Sequence, residues 1–306
     1  MASGDAIIRQ ITDLIQARID AWNTRMPKLQ EDAYKVVLEL TADLETSNGQ
    51  IKPSVKNIKT IAKIKAELDK TIFDKKYSDD LDAMIEDMKQ ISELQRAYFT
   101  ATVGKFKVPS VLEQLQGLAQ DSVLEQLGQD AISANFTGPI KDILVKNVTT
   151  GGSRADFVEQ VREFMLNTDT GDGRLVKYTK QIVTDSLNQF SANYNATLTD
   201  DLGLVWYKYD GSLKDTSRPF CDALIAAKKS CMPYIHVSQL EEIVNGNICG
   251  EQVPIYDKTG LPAGMIPGTN ASNFRVNRGG YNCNHQLYPV SAAVVPKELR
   301  DKFKNA

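Results

Sequence analysis

Apolar side chains recur at helical intervals through the first hundred residues, and this pattern limits the folds open to the chain. In residues 6–22 the spacing is three or four residues, and the members are Ile8, Ile11, Ile15, Ile19 and Trp22. This spacing puts all of them on one face of an α-helix. Similar stripes predict helices over residues 31–47, from Ser54 and from Asp79. We therefore expect residues 1–130 to form a helical bundle or an array of helical hairpins.

Proline, glycine and asparagine mark the expected ends of these helices. Pro27 is predicted to interrupt the first helix, because proline lacks the N–H that a helix interior needs. The pair Asn48-Gly49 is predicted to end the second helix. The pair Gly138-Pro139 is predicted to break the helix that precedes the second domain. The stripes are narrow and nearly heptad-spaced, so the helices either pack on each other or bind a helix of another chain.

Residues 131–306 are predicted to form a smaller domain with a short sheet and long loops. A long helix over residues 175–201 precedes a segment rich in β-forming residues, 204–209, which reads as a strand. Residues 249–273 are rich in glycine and proline, and a loop of this length indicates a functional or partner-ordered segment. The predicted fold class is therefore α+β and predominantly helical.

The charge balance argues against a chain that binds nucleic acid over its whole surface. The formal net charge is −3, and only residues 202–306, with 12 basic and 9 acidic side chains, carry an excess of positive charge. A contact with double-stranded DNA would be non-specific and directed to phosphates. Its expected residues are Lys228, Lys229, Arg275 and Arg278.

The sequence shows neither a membrane span nor a secretory signal. No apolar run reaches 18 residues, and the first ten residues lack a basic segment followed by an apolar block. We expect the chain to stay in the compartment where it is made, and disulfides are then the less expected use of its cysteines.

All four cysteines and both histidines lie in the last third of the chain. Cys283 and His285 are two residues apart, so on an extended segment they point to the same face. Together with Cys221 they form the best trio for a structural zinc ion. The fourth ligand would come from Cys231, Cys249 or His236. The alternative interpretation is a buried small thiol beside a hydrogen-bonded imidazole.

Short motifs follow one another in a characteristic order over residues 140–290. A Gly-Gly-Ser helix start at residues 151–153 precedes a long helix with an Ile-x-Thr-acid core, then an aromatic strand, an Asp and Arg pair with a Cys, and a closing Tyr-Asn-Cys-x-His element. The residues that carry these motifs are Thr184, Asp185, Asp215, Arg218, Cys221, Tyr281, Asn282, Cys283 and His285. This order resembles the phage minor head protein family, also called Mu F-like or head morphogenesis proteins. The chain departs from the family at Ile182-Val183, where Ala-Arg is more frequent, and at Asn284, where an Arg often follows the Cys.

The resemblance implies a structural protein of a tailed bacteriophage head rather than an enzyme. Such proteins are minor virion components, assembled in the host cytoplasm in few copies with the portal protein and other head proteins, and some are associated with packaged DNA. Residues 1–130 lie outside the resemblance, and we expect their helices to bind other virion proteins in an oligomeric assembly.

Two alternative functions stay open at this stage. One is a zinc-dependent or toxin-like enzyme on the same type of domain, which would require a pocket lined by Asp215, Arg218 and His285. The other is a weak, non-specific DNA-binding module. The sequence lacks a Gly-x-Ser-x-Gly elbow, a His-Glu-x-x-His motif and a phosphate-binding loop, which argues against catalysis.

Overall fold

The computed structural model describes residues 4–166, 172–211, 213–215, 217–256, 258–281 and 283–304. This part of the chain is predominantly helical with short antiparallel sheets, which confirms the predicted fold class. None of its helices combines the length and the apolar character that a membrane span requires.

The helices are listed here in chain order. They are α1 (Gly4–Thr41), α2 (Val55–Ile72), α3 (Lys75–Val103), α4 (Val111–Leu127), α5 (Gln129–Ile132), a π-helical turn (Ser133–Thr137), α6 (Gly138–Thr150), α7 (Arg154–Leu166), α8 (Arg174–Asp201), α9 (Pro219–Lys228), α10 (Leu240–Val244), α11 (Phe274–Asn277) and α12 (Lys297–Lys302). Short 3₁₀ turns occur at Val237–Gln239 and Ala292–Val294.

The strands form four small antiparallel sheets. They are β1 (Thr46–Ser47), β2 (Gln50–Ile51), β3 (Trp206–Asp210), β4 (Ile235–His236), β5 (Asn247–Ile248), β6 (Glu251–Gln252), β7 (Ile255–Tyr256), β8 (Leu261–Pro262) and β9 (Gln286–Val290). The largest sheet has the order β4-β3-β9, and its long pairing runs from Trp206 opposite Val290 to Asp210 opposite Gln286. The other sheets are two-stranded hairpins, β1-β2, β5-β6 and β7-β8.

The chain divides into two compact units, and neither is a continuous segment. One unit consists of residues up to 16, residues 87–119 and residues from 184 on, and the other consists of residues 17–86 and 120–183. The expected boundary near residue 130 does not separate these units, because each one draws on both sides of that position. Hydrophobic periodicity locates helices along the chain but carries no information on which helices pack together.

Helix α1 runs through Pro27, so the predicted interruption at this residue is wrong. The Pro27 ring lies on the exposed side of the helix, whereas Met26 and Gln30 beside it are buried. Continuous burial along the apolar face offsets the one hydrogen bond that the proline removes. Buried Gln30 also has a structural role, because its Oε1 accepts hydrogen bonds from the backbone N–H groups of Leu175 and Val176 in the first turn of α8.

Two predicted helix breaks have other roles in the structure. Asn48 and Gly49 have φ angles of 51° and 78° and form the two-residue turn between β1 and β2, so they do not end a helix, and α1 stops earlier, at Thr41. Gly138 and Pro139 open α6 directly after the π-helical turn, in which the Gly138 N–H donates to the Ser133 carbonyl. Proline is tolerated here because the first N–H groups of a helix need no partner within it.

Strand β9 is held by side chains of two helices as well as by β3. The Tyr98 hydroxyl of α3 donates to the Pro289 carbonyl at 2.7 Å, and Asn195 Nδ2 of α8 donates to the Leu287 carbonyl at 3.2 Å. Ser191 of α8 donates to the Gln286 side chain at 3.0 Å. These buried contacts fix the strand that follows the cysteine and histidine of the candidate site.

The apolar stripe of α2 supplies a test of the fold with a matched control. Ile64 is 0% exposed and Ile58, on the same helix, is 59% exposed. We expect Ile64→Ala to lower the free energy of unfolding by ~2–5 kcal/mol, because a buried side chain is lost and a cavity remains. Ile58→Ala should change it by less than ~0.5 kcal/mol. Urea unfolding followed by circular dichroism measures both, and equal effects would contradict the described packing of α2.

Candidate metal centre

Cys221, Cys283 and His285 meet in one buried cluster. Cys221 lies in the first turn of α9, whereas Cys283 and His285 lie just before β9. The two Sγ atoms are 4.0 Å apart, and His285 Nδ1 is 3.7 Å from the Cys283 Sγ. One ligand atom from each residue lies within 4.8 Å of the others. The exposed fractions are 2%, 4% and 4%, so the cluster is shielded from solvent.

Arg218 connects the two segments that carry these ligands. It immediately precedes α9, and its guanidinium donates to the Gly279 carbonyl at 2.8 Å and to the Tyr281 carbonyl at 2.6 Å. These bonds hold the start of α9 against the turn that leads into Cys283. Asp215, which shares a motif with Arg218, is exposed and forms no ion pair with it among the described residues.

The Gly279-Gly280 turn fits closely against its neighbours. A Cβ on Gly279 would lie 2.5 Å from the Cys221 Sγ and 3.1 Å from the Cys283 Sγ. Gly280 has a φ of 103°, and a Cβ there would lie 1.9 Å from the Gly264 carbonyl oxygen. The turn therefore requires two glycines, one for the close approach to the thiols and one for its backbone conformation.

Tyr209 of β3 completes the walls of the cluster. Its ring stacks on the His285 imidazole with centroids 5.3 Å apart and planes 7° apart. Its hydroxyl donates to the Cys221 Sγ at 3.6 Å. Burial raises the pKa of Tyr209 well above its ordinary value. Gly211, at the end of the same strand, packs against the His285 ring, where a Cβ would lie 2.7 Å from Cδ2.

The hydrogen bond between the two sulfurs shifts the thiol pKa values in opposite directions. It raises the pKa of Cys221, to which burial adds, and lowers the pKa of Cys283, to which the His285 hydrogen bond and the Arg278 charge add. The pair thus favours one thiolate that accepts from the neighbouring thiol.

The expected fourth zinc ligands lie elsewhere. Cys231 and Cys249 form a disulfide with Cα atoms 6.1 Å apart, so the expectation against disulfides is wrong for this pair. The tertiary fold brings these two cysteines together. Cys249 lies in the turn between β5 and β6, Cys231 follows the end of α9, and the turn packs near that end of the helix.

His236, the other expected ligand, lies in β4, where its ring stacks on Phe303 at 4.9 Å and its Nδ1 is 2.8 Å from the Ser238 Oγ. Burial lowers the pKa of His236.

The four residues expected to contact DNA have different environments. Arg278 is 2% exposed and donates to the Asn188 carbonyl at 3.0 Å, so it cannot contact a phosphate, a correction to its expected role. Arg275 pairs with Asp200 on α8, and Lys228 pairs with Asp210 at 2.9 Å. Of the four, only Lys229 is exposed.

The motif residues of α8 connect to the cluster through Asn188. Thr184 is buried, and its carbonyl accepts from Asn188 Nδ2 at 2.9 Å. The Asn188 carbonyl in turn accepts from Arg278, whose φ of 50° and ψ of −128° are unusual for a residue with a side chain. Asp185 is half-buried, Tyr281 is exposed, and Asn282 lies outside the described residues.

Sequence reasoning missed three contributors to the site. Tyr209 lies in the segment predicted as a strand, but the strand pattern gives no indication that its ring meets a distant histidine and cysteine. Gly279 carries no local sequence signal for its close approach to Cys221, and Asn188 carries none for its hydrogen bond with Arg278.

No known protein family, no curated protein and no solved structure matches this chain.

The cysteine assignment can be checked by mass. In a glutathione redox buffer, we expect alkylation of the unfolded chain without reductant to modify two cysteines, Cys221 and Cys283, because Cys231 and Cys249 are bonded to each other. With reductant, all four should react. Peptide mapping locates the labels, and alkylation of Cys231 in the non-reduced sample would contradict the described pairing.

The glycine turn supplies a second test of the cluster. Gly279→Ala should lower the free energy of unfolding by ~1–3 kcal/mol, because the added methyl overlaps both thiols. Gly117→Ala is the matched control, since a Cβ there meets nothing within 4 Å and α4 gains up to ~1 kcal/mol of helix propensity. Urea unfolding distinguishes the two, and an unchanged midpoint for Gly279→Ala would refute the close packing.

Proposed function

We propose that this chain is a structural minor head protein of a tailed bacteriophage, bound to the portal protein and other head proteins and without catalytic activity. One observation carries the proposal: motif residues from separate parts of the sequence contact one another. Arg218 bonds to the backbone of Gly279 and Tyr281, and Cys221 lies against Cys283. Arg278, which precedes the closing motif, bonds to Asn188, and Asn188 in turn bonds to the motif residue Thr184. A chance match of short motifs gives no reason for such contacts.

The environment of the cluster favours a structural role over the enzyme alternative. An enzyme would need Asp215, Arg218 and His285 to line one accessible pocket. Arg218 instead uses its guanidinium on two backbone carbonyls, His285 is 4% exposed, and Asp215 lies on the surface. The cluster connects chain segments, and its reactive groups face inward.

Exposed apolar side chains within residues 1–130 support an assembly role. Val55 and Ile58 on α2 are 71% and 59% exposed, and Leu118 on α4 is 69% exposed. Contact with another chain would remove these apolar side chains from water, which favours association.

Co-expression with the portal protein of the same phage tests this function. We expect the full chain to co-purify with the portal ring in a discrete complex, and its mass by light scattering gives the number of copies. Val55, Ile58 and Leu118 are replaced by aspartate one at a time. A substitution that lies in the interface should weaken binding to the portal protein. Val294→Asp is the control, because Val294 is 58% exposed but lies outside residues 1–130.

Purified virions supply the independent readout. We expect mass spectrometry to find the chain in the particles at a few copies relative to the major capsid protein. A chain that is monomeric in the presence of the portal and absent from virions would refute the proposed function.

A further inference from the structure

The Cys221, Cys283 and His285 cluster has a donor set that packing alone does not explain. Two thiols can serve as small apolar groups in a core, but a buried imidazole needs partners for its polar atoms. His285 Nδ1 faces the Cys283 sulfur, and its Nε2 has no hydrogen-bond partner among the described residues. One buried polar atom of the cluster, the His285 Nε2, is therefore unsatisfied, and the other polar contacts of the cluster are long hydrogen bonds to sulfur.

We propose that these three residues bind one Zn²⁺ ion, with the Tyr209 hydroxyl oxygen at the fourth coordination position. This site goes beyond the proposed function and does not depend on it. The geometry supports the site first. Tetrahedral zinc with Zn–S of about 2.3 Å and Zn–N of about 2.0 Å places two sulfurs about 3.8 Å apart and a sulfur and a nitrogen about 3.5 Å apart. The observed distances are 4.0 Å between the two sulfurs and 3.7 Å between the Cys283 Sγ and the His285 Nδ1, and all three ligand atoms lie within 4.8 Å of one another.

The charge of the donor set suits a buried divalent cation. Two thiolates and a neutral imidazole balance the +2 charge of the ion, so the occupied cluster carries no net charge into the interior. Sulfur and imidazole donors favour Zn²⁺ over Mg²⁺ or Ca²⁺, which prefer oxygen ligands.

The surroundings hold the three ligands in place without the ion. Arg218 ties the start of α9 to the turn before Cys283, and Gly279 leaves room for both sulfurs. The ion would thus connect residues 62 positions apart across a segment composed largely of loops and short elements. A metal that binds the folded state stabilises it against unfolding.

The fourth position is assigned from the position of Tyr209. Cys231 and Cys249 are bonded to each other, which removes the other two cysteines as ligands. The Tyr209 hydroxyl lies 3.6 Å from the Cys221 Sγ, a separation suited to two ligands of the same small ion. The stacking of Tyr209 on His285 holds the hydroxyl on that side of the cluster.

Cobalt titration of the full chain tests the site. The protein is freed of metal with a chelator under reducing, anaerobic conditions and titrated with Co²⁺ as the probe. We expect one equivalent to bind, with the intense visible bands of tetrahedral Co²⁺ and a near-ultraviolet band from thiolate coordination, and Zn²⁺ should then displace it. Co²⁺ that gives only the weak bands of an octahedral aqua ion would overturn the proposal.

Variants assign the ligands. Cys221→Ser, Cys283→Ser and His285→Gln should each weaken Co²⁺ binding at least tenfold. The double variant Cys231→Ser/Cys249→Ser is the matched control and should keep one equivalent with the same spectrum. Tyr209→Phe should keep the thiolate band and change the visible bands, and an unchanged spectrum would overturn the assignment of Tyr209 to the fourth position.

Wild-type protein supplies a readout if the ligand variants do not fold. Zn²⁺ should slow alkylation of Cys221 and Cys283 in the reduced native chain at least tenfold, and chelator should restore the rate. The reduced pair Cys231 and Cys249 is the internal control, because its alkylation should not depend on Zn²⁺. Equal alkylation of Cys221 and Cys283 with and without Zn²⁺ would refute the site.

Discussion

The bonds from Arg218 to the carbonyls of Gly279 and Tyr281 are the interaction on which the rest of the site depends. Helix α9 and the turn before Cys283 are far apart in sequence, and the guanidinium joins them with two charge-assisted hydrogen bonds. Because a guanidinium presents its donors in a rigid fork, it fixes both the distance and the orientation of the two segments. This connection helps to hold Cys221 against Cys283.

Strand β9 anchors the segment with Cys283 and His285 to β3, α3 and α8. Its residues pair with β3 on one side, and its backbone and side chains accept hydrogen bonds from α3 and α8. The segment with Cys283 and His285 leads directly into this strand, so the cluster is attached to a well-anchored element. This rigidity is what a preorganised metal site requires and what a loop alone does not supply.

Local patterns predicted the helices well and their ends poorly. The α2 start at Ser54 follows from its capping side chain, which accepts from the Asn57 N–H, and this prediction is confirmed. The predictions at Pro27 and at Asn48-Gly49 failed for different reasons. The burial of Met26 and Gln30 beside the exposed Pro27 outweighed the one hydrogen bond that the proline removes. The pair Asn48-Gly49 suits a hairpin turn as well as a helix end, and the flanking residues decided between the two.

The sequence by itself determined the helical class, the presence of a strand near residues 204–209 and the common face of Cys283 and His285, because periodicity and turn chemistry act within a few residues. The strand is observed at Trp206–Asp210. Only the tertiary structure decided which cysteines meet. Cys231 and Cys249 pair with each other, Cys221 joins Cys283, and Arg278 turns inward to Asn188 rather than outward to solvent. These outcomes depend on contacts between segments that are distant in sequence, and the identity of a side chain does not indicate which distant segment it will contact.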